Sequence, residues 1–415
     1  LVHYDLEPDS YVIEDIAGYE LFYKSDDERY DPAHPAFQAE HCFEEATGEY
    51  VDVELPYALY VPEDYDASKQ YALVLHVLDA GSLSSDPMVV LTEGQAPANY
   101  ASEEVQSIVR DQGLGGIIVV SPAIEMSIRT TRDNWTTSAA VPATWQLMDV
   151  ITEQYSIDMD HIYGTGQSMG GMQVMAMAGQ RDNYFAGLWL LGMQWGNNYN
   201  KEVPYEGASY YNSDDPTIWR EDADGKDSDL GRNWYYLLSD DNVLFTNCLG
   251  DEFSTKAWKE MDYLFQDMAG AEISKTAFHP LDESVEDQNA KLEALLEADS
   301  GPINYHWQSF DGGSHMMTWV YGQRLDAGYE WLLTQSRAEE QARPKLEELN
   351  RQWLPETDAD KLAAAQAEDR LVGTLDGENV YLALPAEGAG TIGYNTAQYS
   401  QGGGSILRVP GWTAD

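Results

Sequence analysis

The sequence predicts an α/β fold, a mostly parallel central sheet with helices against both faces. Near-continuous apolar runs recur at 71–78, 115–122, 186–192 and 243–249, the pattern of strands buried on both sides. Helical periods lie between them, at 102–112 and 144–155, and strands alternating with helices imply parallel crossovers. The third observation is a Gly-rich corner, Ile162-Tyr163-Gly164-Thr165-Gly166-Gln167-Ser168-Met169-Gly170-Gly171-Met172, set between a β-prone run and the helix-forming stretch 172–178.

Residues 1–50 are acidic and Tyr-rich, with short alternating runs such as 19–23, and are expected to form edge strands or an N-terminal hairpin. A core domain is expected over 51–335. It opens with 53–62, which alternates like a half-buried strand and ends at Pro62. The loop Asp79-Ala80-Gly81-Ser82 follows the first buried strand. Residues 196–240 are polar, aromatic and Gly/Asp-rich, an insertion or cap near the presumed site. Asp222, Asp224, Asp227 and Asp229 crowd together there, but their spacing departs from the EF-hand template and lacks its closing glutamate. They read as a solvated acidic loop, and no metal is expected. Beyond the strand at 243–249 come helices at 255–268 and 282–298, a strand at 305–310 and a helix at 318–333. Residues 336–415 read as an appendage, with helices near 337–352 and 358–369 and then a small β-unit between Gly-rich turns.

With 415 residues, 43% of them hydrophobic and 12% aromatic, the chain is long enough for one large core and a small appendage. Its charge is extreme: 72 acidic residues against 23 basic ones, formally −49. Phosphate binding needs clustered Lys and Arg, so nucleic acid and anionic membranes are excluded as partners. Such a surface favours a soluble monomer and suits high salt, where repulsion is screened. No apolar run approaches the roughly 20 residues that span a bilayer. The chain begins at Leu1, so a signal peptide already removed, and a secreted protein, are the expectation. Cys42 and Cys248 are compatible with one long-loop disulfide or with two buried thiols.

Gly166, Ser168 and Gly170 form a G-x-S-x-G between strand and helix, the setting of a nucleophile elbow. The glycines remove Cβ atoms where strand and helix crowd together, and the Met169 N–H at the helix start can face a developing oxyanion. Such a serine needs a base and an orienting carboxylate, in the chain order Ser, Asp/Glu, His. His315 is the best base, in a Gly-Gly-Ser loop directly after a strand near the end of the core. His76 and His306 lie inside strands, His161 precedes one, and His279 precedes a proline in a loop. Asp251 is the chosen carboxylate, following a strand and a glycine, with Glu252, Asp240 and Asp241 as alternatives. Ala80, in the loop after the first buried strand, is expected to give the second oxyanion donor. Trp135 and Trp195, with Trp319, would line the mouth for an aromatic or bulky acyl group. Acyl transfer through these groups needs no cofactor.

Taken together, these residues resemble the α/β-hydrolase superfamily, and within it esterases of the polyhydroxybutyrate-depolymerase and feruloyl-esterase kind. The matching phrases are Leu59-Tyr60-Val61-Pro62 with Tyr65-Asp66, and Tyr155-Ser156-Ile157-Asp158 running into the corner at Ser168. The resemblance spans about 50–335 and implies the α/β-hydrolase fold and serine carboxylesterase activity on a small-molecule or polymeric ester. It departs at the oxyanion loop, where the family usually has His-Gly-Ala-Gly and this chain has Leu78-Asp79-Ala80-Gly81. A carboxylate there is tolerable only if it points away from the oxyanion. Two rival readings share the core: a serine peptidase of the prolyl-oligopeptidase type, and a non-catalytic binding protein. The first usually carries a propeller or comparable gating domain, and no such repeat is present.

Overall fold

A computed structural model describes residues 18–44, 49–82, 84–92, 96–125, 139–181, 184–193, 241–251, 254–255, 258, 276–298 and 304–337, with three short strands beyond. The strands are β1 (Tyr19–Phe22), β2 (Phe37–Glu44), β3 (Glu49–Leu55), β4 (Tyr57–Tyr60), β5 (Tyr71–Val77), β6 (Ile117–Pro122), β7 (Ile157–Gln167), β8 (Gly187–Leu191), β9 (Asn242–Cys248), β10 (Thr276–Pro280), β11 (Asn304–Asp311), β12 (Leu371–Leu375), β13 (Glu378–Ala383) and β14 (Ser405–Leu407). The helices are α1 (Val89–Thr92), α2 (Ala96–Ala101), α3 (Glu103–Arg110), α4 (Ala140–Gln154), α5 (Met169–Gln180), α6 (Val285–Leu296), α7 (Met317–Gly322) and α8 (Asp326–Leu333).

Among the described residues, nine strands form the central sheet in the order β1-β4-β6-β5-β7-β8-β9-β11-β10. The β1–β4 and β4–β6 pairs are antiparallel and every other pair is parallel. This is the α/β-hydrolase fold, with β10 as an outer edge strand. The apolar runs are buried on both sides as expected. Leu73, Leu75 and Val77 of β5 join one core cluster with Trp145 of α4 and Met172 of α5. Ala72 and Val74 face the other, with Val105 of α3, Leu292 of α6 and Leu332 of α8. A period-2 strand between two helical layers produces this division.

Four details differ from the sequence expectation. The run 53–62 is two strands: Pro56 ends the ladder that pairs β3 with β2, and β4 enters the central sheet beside β1 and β6. A proline has no N–H to continue a ladder, so the strand changes sheets there. His161 lies within β7 rather than ahead of it, and His279 lies in a strand, β10, paired in parallel with β11. The helix expected over 318–333 is two, α7 and α8, because buried Leu325 sits in extended backbone between them. Of the two outcomes left open for the cysteines, the structure has separate buried thiols, which is no departure; burial pushes Cys42 up to about 12 and Cys248 up to about 11. Strands β12, β13 and β14 form a small antiparallel sheet, while the helices expected near 337–352 and 358–369 lie outside the described residues.

Candidate active site

Parallel register brings four strand ends to one edge of the sheet. Val77 pairs with Gly166, Gln167 with Leu191, Leu191 with Thr246, and Cys248 with Phe310. The loops leaving β5, β7, β9 and β11 therefore emerge side by side, which is where open α/β sheets place their ligands. They carry Ala80, Ser168, Asp251 and His315.

Ser168 separates β7 from α5 and adopts φ 51°, ψ −117°. With His41, it is one of two non-glycine residues at positive φ among the described residues. That backbone costs on the order of 1–3 kcal/mol, and the surrounding contacts hold it in place. The Ser168 N–H donates to the Leu191 carbonyl at 2.8 Å. A Cβ on Gly170 would stand 2.1 Å from the Val77 oxygen and 2.4 Å from that of Leu78. Only glycine lets the first turn of α5 press against the end of β5, and this contact sets the elbow beside the Asp79–Ser82 loop.

His315 Nε2 lies 2.8 Å from Ser168 Oγ, and its Nδ1 lies 2.5 Å from Asp251 Oδ2. Asp251 accepts at Nδ1, so the ring proton belongs there and Nε2 is left to accept from the serine hydroxyl. The aspartate side chain is 1% exposed and the imidazole 28%, so the carboxylate is sealed while the ring stays accessible. Ser254 Oγ donates to the same Asp251 oxygen at 2.7 Å. Below it, Asn247 Oδ1 accepts from Trp307 Nε1 at 2.7 Å and from Ser309 Oγ at 2.6 Å, while its Nδ2 donates to Thr255 Oγ1 at 2.7 Å. That buried amide ties β9, β11 and the turn after Asp251 together. The Asp251 and His315 loops also meet directly: Gly250 N–H donates to the Gly312 carbonyl, and a Cβ on Gly250 would stand 2.0 Å from the Gly313 oxygen.

Met169 begins α5. Ala80 begins a short 3-10 turn, Ala80–Ser82, and packs against the core cluster that contains Met169. Asp79 is buried, and its carboxylate is turned onto its own turn: Oδ2 accepts from the Gly81 N–H and Oδ1 from Ser82 Oγ, both at 2.8 Å. Trp319 is buried in α7 with its ring edge-on to His315, 5.4 Å between centroids; it packs against that imidazole rather than lining a mouth. Trp135, Trp195, Glu252, Asp240 and the acidic loop at 222–229 lie outside the described residues.

The remaining candidates stand apart from Ser168. Asp241 is buried just ahead of β9, at the opposite end of the sheet from Asp251. His161 faces Asp158 at 3.1 Å in the first half of β7. His306 Nε2 contacts Asn304 Oδ1 at 2.9 Å near the start of β11. Burial lowers His76 to about 3 and His279 to about 4, so both are neutral packing groups. Among the described residues no His, Cys, Asp and Glu cluster is arranged to hold a metal, and no helix is long and apolar enough to cross a membrane. Sequence reading missed Ser254 and Asn247. The signals were a serine three residues after the aspartate, and a polar residue inside an apolar strand run.

No protein-family model matches the sequence, and no curated protein sequence does. Solved structures of esterases and serine hydrolases do resemble it. A thermostable esterase is 16% identical with a TM-score of 0.39, over 72% of this chain and 62% of its own. A fluorophosphonate-binding serine hydrolase of Staphylococcus aureus is 13% identical with a TM-score of 0.39, over 76% of this chain and 98% of its own. A feruloyl esterase module of Clostridium thermocellum is 12% identical with a TM-score of 0.35, over 72% and 88%. The chain thus spans less than two thirds of the thermostable esterase. Likeness at this level decides nothing about chemistry.

Proposed function

We infer that the protein is a serine carboxylic-ester hydrolase working through an acyl-enzyme. One observation carries the reading: the chain Ser168 Oγ, His315, Asp251, with contacts of 2.8 and 2.5 Å and the serine in strained backbone at a strand–helix corner. In this reading His315 Nε2 takes the hydroxyl proton as Ser168 Oγ attacks the ester carbonyl. Asp251 holds the proton on Nδ1 and stabilises the imidazolium that forms. The N–H groups of Met169 and Ala80 receive the oxyanion. Collapse of the tetrahedral intermediate breaks the ester C–O bond, and the imidazolium returns its proton to the departing alcohol. Water, deprotonated by His315, then attacks the acyl-serine; the C–O bond to Ser168 Oγ breaks, the acid leaves, and the imidazolium returns its proton to the serine oxygen.

The substrate is a small-molecule ester or an ester-linked polymer, taken up by a soluble, secreted monomer. The test is hydrolysis of p-nitrophenyl acetate and butyrate by wild type and Ser168→Ala. Turnover is expected to fall by roughly 10⁴-fold or more in the variant, the scale of removing a nucleophile from a working triad. An unchanged rate in Ser168→Ala would sink the reading. Cleavage of peptide p-nitroanilides in preference to the esters would instead make it a peptidase.

A further inference from the structure

We propose that Asp79 is a positioning residue for the oxyanion loop, its carboxylate holding residues 80–82 in the turn that offers the Ala80 N–H to the reacting carbonyl. This role presupposes that Ser168 is the nucleophile.

The carboxylate is buried, and both of its oxygens are engaged within the turn, by the Gly81 N–H and by Ser82 Oγ. The turn closes on itself as well, with the Ser82 N–H donating to the Asp79 carbonyl at 3.2 Å. Asp79 and Ser82 line a small cavity with Leu78, Val90, Pro122 and Ile124. Pro122 ends β6, which flanks β5 on one side, whereas Ser168 follows β7 on the other. The cavity therefore lies across β5 from the serine. One end of the loop is already fixed by the close approach of Gly170 to the Val77 and Leu78 carbonyls. Asp79 fixes the other. Because its carboxylate occupies the Gly81 N–H, the Ala80 N–H is the donor that the turn leaves for the oxyanion, and its direction depends on the two Asp79 contacts. An oxyanion donor works by being preorganised, so loosening it lowers the rate without lowering ground-state affinity.

The test compares wild type with Asp79→Ala, Asp79→Asn and Ser82→Ala. The readouts are kcat and KM for p-nitrophenyl butyrate, the rate at which a fluorophosphonate labels the serine, and circular dichroism for folding. Asp79→Ala is expected to lose roughly ten- to hundredfold in kcat and in labelling rate, with KM unchanged. That is less than the roughly 10²–10³-fold cost of deleting a donor outright, because the donor is loosened and not removed. Asparagine keeps both contacts, accepting from Gly81 and donating to Ser82 Oγ, so Asp79→Asn retains wild-type turnover. Ser82→Ala loses one contact, and its kcat falls by less than that of Asp79→Ala. A folded Asp79→Ala with wild-type kcat overturns the role, and so does an Asp79→Asn as impaired as the alanine. If Asp79→Ala does not fold, an undiminished kcat and labelling rate in Ser82→Ala overturns it instead. A wild type that is neither labelled nor active removes the ester-hydrolase reading and this role with it. A labelled, active wild type with indifferent variants removes the role of Asp79 alone.

Discussion

Asp251 Oδ2 serves two donors at once, His315 Nδ1 at 2.5 Å and Ser254 Oγ at 2.7 Å. The hydroxyl has no reaction to perform, but it fixes the carboxylate rotamer that the imidazole reads. Ser254→Ala is therefore expected to lower kcat by roughly three- to tenfold with KM unchanged, the scale of one buried hydrogen bond worth about 1 kcal/mol. Asp251→Asn goes further. The amide presents an N–H where Nδ1 needs an acceptor, which favours the wrong tautomer, and kcat should drop by roughly 10⁴-fold. Steady-state kinetics on one ester checks both, and equal losses in the two variants would argue that the Ser254 contact does more than orient. At this scale the sequence was most informative where chemistry restricts residue type. Ser168, His315 and Asp251 were chosen as candidates from an elbow, a chain order and two post-strand loops, and the fold brings them into contact. Ser254 and Trp319 touch the same groups, yet serines and tryptophans recur for many reasons, and only proximity assigns them.

At the scale of elements, β5 has every residue buried between the two helical layers and its C-terminal end pressed by α5. Gly170→Ala would drive a Cβ into backbone oxygens that cannot move without shifting β5, so the variant is expected to fold poorly or lose activity. A melting temperature and ester turnover equal to wild type would contradict that packing. His76 of β5 and His279 of β10 give the sheet a pH signature. Burial depresses both, to about 3 and about 4, below the ordinary histidine value of 6.5. The unfolded chain therefore binds their protons first as pH falls. Stability is fully present above pH 6.5 and is lost from there down towards pH 4 and 3, at up to about 1.4 kcal/mol per pH unit for each group. His76→Gln should flatten part of that acid slope in urea titrations run between pH 7 and 4. An unchanged slope would mean that His76 protonates in the folded state. Apolar runs located the central strands well, because a strand buried on both faces has a distinctive composition. The sheet switch at Pro56, the edge strand β10 and the break between α7 and α8 were not legible, since each depends on what the chain packs against.

For the molecule as a whole, charge is the main influence outside the core, formally −49 with 72 acidic and 23 basic residues. Self-repulsion of this size opposes compactness, and salt relieves it as the screening length shrinks from about 10 Å at 0.1 M to about 3 Å at 1 M. The melting temperature is expected to rise by several degrees between those concentrations, similarly in NaCl and KCl. A flat or falling melting temperature would remove salt adaptation as the explanation of the acidity. Where the acids sit is decided by the fold: Asp251 and Asp79 are buried and bonded, whereas Asp27, beside the Arg29 guanidinium on the surface, is held down to about 2 by its hydrogen bonds. No composition count separates these three.

Composition, strand runs and the elbow at Ser168 are local properties, and local properties were enough for the fold class, the choice of candidate triad residues and the acidic character of the chain. Each rests on what a short stretch can do in water or in a core. Distances between loops 64 and 147 residues apart are not local. The register of four parallel strands brings Asp251 and His315 to Ser168, and a turn of backbone directs the Asp79 carboxylate to Gly81 and Ser82. Those outcomes depend on packing summed over the whole sheet, which no window of sequence contains.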